Sequence, residues 1–255
     1  MKKRYYILTA IFSYLALLII TVPASSLSKM VNDNSPVSIQ GVSGTLWNGE
    51  AYIITINNKV RLNNTEWSVS FWKLFLGQLA IDVNSHHSDN AITAELGSSF
   101  LGRFFINNLT AKLSAEDAAQ IADIPLVKLS GLISLNIENA HWKQGELPQA
   151  SGTINWSDAI VTVAESASLG NVSIVLGESE QHLLNADIKN QGGDIKLSGT
   201  AKLIPEADYS VNIVLTPTAS ASDNIKNSLG LFAKKQRNGE FHLNNSGSLN
   251  TFGLI

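Results

Sequence analysis

Apolar and polar residues alternate with a period of two through most of the chain beyond residue 36. The alternation is clearest over residues 67–71, 133–137 and 209–215, where every second residue is apolar and those between are mostly polar. Successive side chains of a β-strand point to opposite faces, so this pattern predicts strands with one buried face and one solvated face. Antiparallel sheets commonly carry such one-sided strands. We therefore expect a mostly β domain built on an antiparallel sheet.

Turn residues separate the predicted strands. Residues 190–194, Asn-Gln-Gly-Gly-Asp, lie between two such runs and predict a hairpin, and the Asn-Asn-Lys of residues 57–59 predicts a second one. Ser114 is followed three residues later by the carboxylate of Asp117, a pattern typical of a helix N-terminus. Residues 71–76 fit either a helical turn or a bulged strand. The β-domain is thus expected to contain one or two short helices.

A serine-glycine dipeptide recurs along the chain at the starts of predicted strands. Its copies are Ser43-Gly44, Ser130-Gly131, Ser151-Gly152, Ser198-Gly199 and Ser246-Gly247. Glycine within a strand usually marks a bulge, a bend or a close backbone approach, so the recurrence predicts a sheet that bends repeatedly. The alternative is that serine and glycine are simply frequent in turns. On the first interpretation the domain is an elongated, curled antiparallel sheet.

The N-terminus has the features of a membrane anchor. Three basic residues at positions 2–4 precede an uncharged stretch, of which residues 5–22 would span about 27 Å as a helix, close to the thickness of a bilayer core. The charge asymmetry predicts a single transmembrane helix with a cytoplasmic N-terminus. We therefore divide the chain into a tail and anchor (1–24), a linker (25–36) and an exported β-domain (37–255). A signal peptide cleaved near Ala24 is the alternative.

Composition and motifs argue against several classes of function. The chain has no cysteine, which excludes disulfide and thiolate chemistry. Beyond the anchor it carries 15 basic and 21 acidic residues, and a domain with this excess of negative charge is not expected to bind nucleic acid. The carboxylates Glu50, Glu66 and Asp82 are not paired by spacing, and residues 86–89, His-His-Ser-Asp, are expected to form a solvated turn. Because nucleophile and phosphate-binding motifs are also missing, we expect no enzyme, cofactor or metal site.

The segment of residues 41–51 is expected to form strand, turn and strand. In this structural motif Gly41, Gly44 and Gly49 provide the turn chemistry, and Trp47 is buried against Trp67 or Phe71.

Among the five tryptophans, Trp72 is the best candidate for an interface. In a regular strand its parity is opposite to that of Trp67 and Phe71, so one of the two sets must face outward. We group Trp72 with Leu74 and Leu76 as predicted interaction residues.

The Gly-Val-Ser-Gly-Thr-Leu-Trp-Asn-Gly of residues 41–49, the basic N-terminus, and Trp67 followed by Leu-Gly-Gln-Leu at 76–79 together resemble the type II secretion system protein N family. The order and spacing of these features match along the first 80 residues. The resemblance implies a single-pass protein of the bacterial inner membrane with its bulk in the periplasm. It also implies an accessory role in exporting folded proteins across the outer membrane, through contacts with other inner-membrane proteins of that system and without catalysis.

A more distant likeness is to AsmA-like envelope proteins, whose curled sheets form grooves accessible to lipid. The recurring serine-glycine dipeptides carry this likeness, which makes lipid a possible ligand and a lipid-binding or lipid-transfer groove the alternative function. An apolar sheet face without a covering layer favours the groove. A closed core with an exposed Trp72 favours docking on partner proteins through a sheet face or edge.

Overall fold

A computed structural model describes residues 2–26, 35–122, 124, 127–163, 165–178, 183–204 and 208–248. Its centre is one antiparallel sheet of 14 strands in the order β1 to β12, then β14 and β13. The strands are β1 (Val37–Gly44), β2 (Asn48–Ile56), β3 (Val60–Val69), β4 (Gln78–His87), β5 (Asn90–Ser99), β6 (Phe104–Ser114), β7 (Lys128–Trp142), β8 (Gln149–Thr162), β9 (Ser166–Glu178), β10 (Leu184–Gln191), β11 (Ile195–Ile204), β12 (Asp208–Pro217), β13 (Lys234–Lys235) and β14 (Phe241–Ser248). The helices are α1 (Lys2–Ile20), α2 (Phe71–Phe75), α3 (Ala115–Ile121) and α4 (Asp223–Phe232).

Nearly every strand pairs with its neighbour in the chain, because short turns return the chain at once. The predicted hairpins are both present, joining β2 to β3 and β10 to β11. In the first, Asn57 and Asn58 have φ of 51° and 56°, the left-handed values of the two central residues of a type I′ turn, which the N–H of Lys59 closes on the carbonyl of Ile56. The exception to chain order is β13, which lies outside β14 at one edge. The expectation of a mostly β, antiparallel sheet is confirmed.

The expectation of a curled sheet is not met, since the sheet is open and neither closed nor curled. The reason is that the serine-glycine dipeptides do not perform one repeated task. Gly44 ends β1, Gly131 lies at a register shift between β7 and β8, and Gly199 sits in unbroken register opposite Ile213. Because the dipeptide ends one strand, lies in a bulge of another and leaves a third regular, its recurrence does not bend the sheet progressively into a curl.

The helices exceed the one or two short ones expected, since α2, α3 and α4 all form. Helix α3 begins as predicted, with the Ser114 hydroxyl accepting a 3.0 Å hydrogen bond from the backbone N–H of Asp117. Helix α4 has the same kind of cap, because Ser222 accepts from the N–H of Ile225 at 3.1 Å. The side chain of Ile225 packs into the buried apolar cluster of the sheet. The signal for α4 was therefore a capping serine followed by apolar residues at helical spacing.

Helix α1 departs from the predicted anchor. The prediction counted uncharged residues up to Val22, whereas the helix ends at Ile20 and its 19 residues include the three basic ones. Within the part of the chain that the structure describes, no helix combines the length and the apolar character that crossing a bilayer requires. Of the predicted linker, residues 27–34 lie outside the described residues.

Candidate functional site

The chain that follows α1 is hydrogen-bonded to the sheet. Pro23 forms an isolated antiparallel bridge with Thr45, in the turn between β1 and β2. The N–H of Ala24 donates to the carbonyl of Gly44 at 3.0 Å, a second 3.0 Å bond flanks the bridge on its other side, and Ala24 is fully buried. These contacts form a junction between residues 22–24 and 44–46, so the C-terminal end of α1 is fixed to one end of the sheet.

The predicted motif of residues 41–51 contributes one side of this junction and has the strand–turn–strand form. Gly41 and Gly44 have φ of 65° and 82°, left-handed values that other residues rarely adopt. Gly49 is required for a different reason. A Cβ atom there would lie 2.5 Å from the Trp67 ring, so the indole occupies the space that a side chain would fill.

Trp67 is the aromatic residue that ties this motif together, a role that sequence reasoning gave to Trp47. The indole N–H of Trp67 donates to the carbonyl of Leu46 at 3.1 Å. Trp47 packs against Phe71, one of its two predicted partners, with ring centroids 5.4 Å apart and planes at 41°, and is half-buried. Register explains the difference, because Trp67 lies directly opposite Gly49 across the ladder between β2 and β3.

The same arrangement recurs in the middle of the sheet. The indole N–H of Trp156 donates to the carbonyl of Ser130 at 2.9 Å, and a Cβ on Gly131 would lie 2.8 Å from that nitrogen. In both places a tryptophan packs over a glycine on the adjacent strand. For Trp156, the signal in the sequence was the glycine that directly follows Ser130, the residue whose carbonyl receives the indole. For Trp67, Gly49 lies three residues after Leu46, and only the strand register identifies the partner.

The predicted interaction residues lie on or just after α2, a helix rather than the strand assumed by the parity argument. Lys73 of α2 forms an ion pair with Glu95 of β5, and Asn107 donates to the same carboxylate at 2.7 Å. This places one side of α2 against the sheet, where Leu74 is half-buried. Trp72 faces away from the sheet and is 78% exposed. Trp72 is therefore available for contact, but the parity argument that singled it out does not apply to a helix.

Exposed apolar side chains gather at this end of the sheet. The N–H of Phe100, in the turn between β5 and β6, donates to the carbonyl of Gly77 at 2.9 Å, which brings that turn beside the end of α2. Five large side chains here are between 72% and 85% exposed. We call this set the rim: Trp72, Phe75, Leu76, Phe100 and Leu101. Leu74, grouped with Trp72 and Leu76 by sequence, does not belong to it.

A concave apolar patch adjoins the rim. Phe104 and Trp142 stack with centroids 5.7 Å apart and planes at 22°, and each remains about 40–50% exposed. With Leu79 and Leu96 of the two preceding strands they line an open cavity of about 350 Å³. Apolar surface therefore continues from the rim onto one face of β4 to β7.

The two edges of the sheet differ. At one edge β13 has two residues, both lysine, and covers part of β14. Short edge strands and lysine are the usual protection against unwanted pairing. At the other edge β1 has eight residues, and among the described residues only β2 pairs with it in the sheet. Among the described residues, β1 therefore offers backbone donors and acceptors to another chain along nearly its whole length, and the part of β14 beyond β13 does so too.

An acidic pair that spacing did not reveal lies beside the β1 edge. Glu50 of β2 stands directly opposite Glu66 of β3, and the hydroxyl of Ser43 on β1 donates to Glu50 at 2.7 Å. These carboxylates line an open cavity of about 460 Å³ together with Tyr52 and Asn64. Like charges directly opposite in a sheet are destabilising, so the pair gives this surface a negative character at a cost to the fold.

His86 and His87, which the sequence placed in a solvated turn, are the last two residues of β4. A ring nitrogen of His87 lies 2.9 Å from the carbonyl of Arg61, and the other lies 3.5 Å from a carboxylate oxygen of Asp117. Across the described ranges, no group of three or more metal-ligating side chains is close enough to hold an ion.

The Lys73–Glu95 pair makes the seating of α2 sensitive to acid. Burial raises the pKa of Glu95, but hydrogen bonds from Lys73 and Asn107 and the charge of Lys73 outweigh it, so the net pKa lies below its ordinary value. The resulting stabilisation is complete above the ordinary glutamate pKa of about 4.3 and is lost as the pH falls through the lowered native pKa.

We therefore expect Glu95→Gln to flatten the loss of stability between about pH 5 and about pH 3. Denaturant unfolding midpoints of the full-length protein across this range measure the effect. The exposed Glu138 on β7 provides the control, since the unfolding midpoint of Glu138→Gln should fall with decreasing pH as steeply as that of the wild type. If the unfolding midpoint of Glu95→Gln also fell with decreasing pH as steeply as that of the wild type, this carboxylate would not hold α2 against the sheet.

Comparison with known proteins gives a consistent family. The family model of type II secretion system (T2SS) protein N matches residues 35–244, which begin just before β1 and end within β14. Type II secretion system protein N of Aeromonas hydrophila is 23% identical over 257 residues, covering 97% of this chain and 100% of that protein. No solved structure matches the chain. Because the family model covers most of the sequence, the chain belongs to the type II secretion system protein N family.

Proposed function

We propose that this protein is an accessory component of the type II secretion system that acts by binding other inner-membrane components and performs no chemistry. Family membership over residues 35–244 is the observation that supports the role. The open β1 edge supports the mode of action, because an exposed edge strand can accept a strand from a partner. Such strand addition provides backbone hydrogen bonds for affinity, while neighbouring side chains select the partner.

The acidic pair indicates the chemistry of that partner. Glu50 and Glu66 lie on β2 and β3, within one or two strands of the β1 edge. A strand added to β1 would bring its own side chains toward these carboxylates, so basic residues on the added strand would relieve the repulsion between them. The proposed partner segment is therefore an extended stretch of an inner-membrane secretion protein that carries lysine or arginine.

We place α1 at the inner membrane, with the N-terminus in the cytoplasm and the sheet in the periplasm. The basic residues at positions 2–4 support this orientation. Large apolar side chains of α1 are exposed on several of its faces, which a helix in water alone would not favour. They are Tyr5, Tyr6, Ile7, Ile11, Tyr14, Leu17, Leu18 and Ile20. The junction supports an uncleaved N-terminus, because cleavage near Ala24 would remove the backbone partners of residues 44–46.

A reporter that is active only in the periplasm, fused after Pro36, should be active, and the fusion should sediment with membranes. The physical reason is the charge asymmetry across the N-terminal segment. Recovery of a soluble mature form that starts near Ser25 would show that residues 22–24 are removed and that the junction does not persist in the mature protein.

Cross-linking in cells tests the binding role. A photo-reactive residue at Gln40, exposed on β1, should cross-link to inner-membrane proteins of the secretion system, identified by mass spectrometry. The matched control is Asp187, also exposed, but on β10, which is paired on both sides. Equal cross-linking from Gln40 and Asp187 would contradict docking at the edge.

Glu66→Gln separates binding from stability in the same assay. The substitution removes a like-charge contact with Glu50, so the unfolding midpoint should stay the same or rise. The cross-link from Gln40 should nevertheless weaken, because the basic partner loses an attractive charge. A variant that is as stable as the wild type and cross-links as strongly would show that the acidic pair does not select the partner.

A second candidate is the lipid-handling groove, favoured by one observation. An apolar cavity of about 170 Å³ lies between α4 and the sheet, lined by Val161, Ala167, Ile195, Leu229 and Phe232 among others. An acyl chain is the ligand that such a lining would accept. Lipid that copurifies in a stoichiometric amount, with no secretion protein cross-linked from Gln40, would favour this function over the first.

A further inference from the structure

The rim gathers large apolar side chains where a water-soluble surface would carry few. Its five members are between 72% and 85% exposed, and they come from two connections that are more than 20 residues apart in the chain. Contiguous exposed apolar surface generally marks a site of contact with another molecule or with a membrane. We propose that the rim contacts the lipid surface of the membrane that α1 attaches to, so that the sheet stands on the bilayer by one end.

The location of the rim supports this occupant. Consecutive strands of an antiparallel sheet alternate in direction, so the connections that follow β1, β3 and β5 all lie at the same end. These connections are residues 45–47, which contact the end of α1, and residues 70–77 and 100–103, which carry the rim. The proposed function puts α1 at the inner membrane, and the inference rests on that placement. The rim then lies at the end of the sheet nearest the bilayer.

The chemistry of the rim fits the boundary between lipid and water. Tryptophan is enriched at this boundary, and phenylalanine and leucine insert their side chains about 5–10 Å into the region between headgroups and acyl chains. Two cations lie beside the rim, since Arg103 and Lys143 both pair with Glu146 and are about half exposed. This group carries a net positive charge, which anionic headgroups attract.

A protein partner is the competing occupant, and the structure favours lipid for a geometric reason. The rim is built on connections at the ends of strands, at the same end as a helix that itself exposes large apolar side chains. One planar apolar medium can cover both α1 and the rim, whereas the open β1 edge provides a separate surface for strand addition. The two surfaces therefore have different occupants.

Depth-dependent fluorescence quenching tests the inference with the full-length protein. The chain has no cysteine, so single cysteines can be labelled with an environment-sensitive dye. Leu101→Cys reports on the rim, Tyr14→Cys reports on α1, and Ser88→Cys, in the exposed turn at the opposite end of the sheet, is the control. The labelled proteins are reconstituted into liposomes of phosphatidylethanolamine and phosphatidylglycerol that contain a brominated lipid.

We expect the Leu101 label to be quenched at least about twofold more than the Ser88 label, as befits insertion near the headgroups. A Leu101 label that behaves like the Ser88 label while the Tyr14 label is quenched would overturn the inference and leave the placement of α1 intact. If neither Leu101 nor Tyr14 is quenched, the placement of α1 fails and the rim inference fails with it. Shielding of Leu101 only in native membranes that contain the secretion proteins would assign the rim to a protein partner.

Charge substitutions provide a second readout. In the Leu101→Cys background, Trp72→Glu combined with Phe75→Glu should reduce the quenching to the Ser88 level, because ionised side chains are costly at the lipid boundary. The matched control is Leu231→Glu on α4, which is exposed to nearly the same extent as Trp72, at 76% against 78%, but lies outside the rim. Quenching that persists in the double variant, or that Leu231→Glu abolishes equally, would contradict a contact made by the rim.

Discussion

Replacing Trp67 with alanine is expected to lower the free energy of unfolding by about 3–5 kcal/mol, the range for deleting a packed tryptophan. The indole fills the space over Gly49 and donates to the carbonyl of Leu46 at 3.1 Å, so the substitution removes both packing and a hydrogen bond. Leu46 lies in the segment that contacts residues 22–24, so the junction with α1 should loosen as well. Denaturant unfolding of the full-length protein measures the loss.

Trp72→Ala is the control for this prediction. Trp72 is 78% exposed, so its replacement should change the free energy of unfolding by less than about 0.5 kcal/mol. Trp67→Phe should fall between the two, because it keeps an aromatic ring but loses the N–H donor. If Trp67→Ala were no more destabilising than Trp72→Ala, the indole would not hold the turn, and the role of this motif would have to pass to Trp47.

Gly131→Ala is also expected to be strongly destabilising, for two separate reasons. Its φ of 112° is unfavourable for any side chain, which costs about 1–3 kcal/mol. The added Cβ would also lie 2.4 Å from the carbonyl oxygen of Ser157 and 2.6 Å from that of Asp158. Backbone atoms cannot move aside as a flexible side chain can, so overpacking adds about 1–3 kcal/mol.

Gly145 provides a matched comparison for the two costs. Its φ of 81° is also positive, but a Cβ there would meet nothing within 4 Å. Gly145→Ala should therefore show only the cost of backbone strain. Thermal or denaturant unfolding of both variants isolates the cost of the close approach at Gly131. Equal destabilisation by the two substitutions would mean that the β7–β8 bulge opens freely and that the Trp156 arrangement does not constrain it.

Local sequence signals predicted the local structure well. Period-two alternation gave the strands, the residues at 57–59 and 190–194 gave hairpins, and Ser114 gave the start of α3. These signals work because the chain folds mostly by pairing neighbours in sequence, so each hairpin is decided within about 20 residues. Helix α4 was missed although Ser222 carries the same capping signal. Its apolar face is short, and the face is recognisable only from its packing against the sheet.

Relations between strands were beyond the reach of local patterns. The choice of Trp67 over Trp47 depends on which residue faces Gly49, and the pairing of Glu50 with Glu66 depends on the same register. Register follows from turn geometry and from the whole buried face, neither of which a single segment contains. The rim was even harder to predict from local patterns, because a backbone hydrogen bond to Gly77 brings residues 100–101 beside the end of α2.

For the predicted membrane anchor, hydropathy placed the end of the helix too far along the chain. Composition indicated a long apolar helix, and α1 does form, but it ends at Ile20. The residues that follow pair with the turn at Thr45. Pro23 disfavours a helical conformation at Val22, and residues 22–24 pair with the sheet instead, so both end the helix at a point that hydropathy alone does not register.

The most direct measurement of the central claim is the distribution of a type II secretion substrate between periplasm and medium after deletion of this gene. A component that assists export should, when removed, leave a larger share of the secreted enzyme in the periplasm, and the wild-type gene should restore the distribution. A strain lacking another component of the same system provides the blocked reference. If the deletion strain released its enzymes into the medium as fully as the wild type while the reference strain retained them, the proposed role in secretion would be wrong.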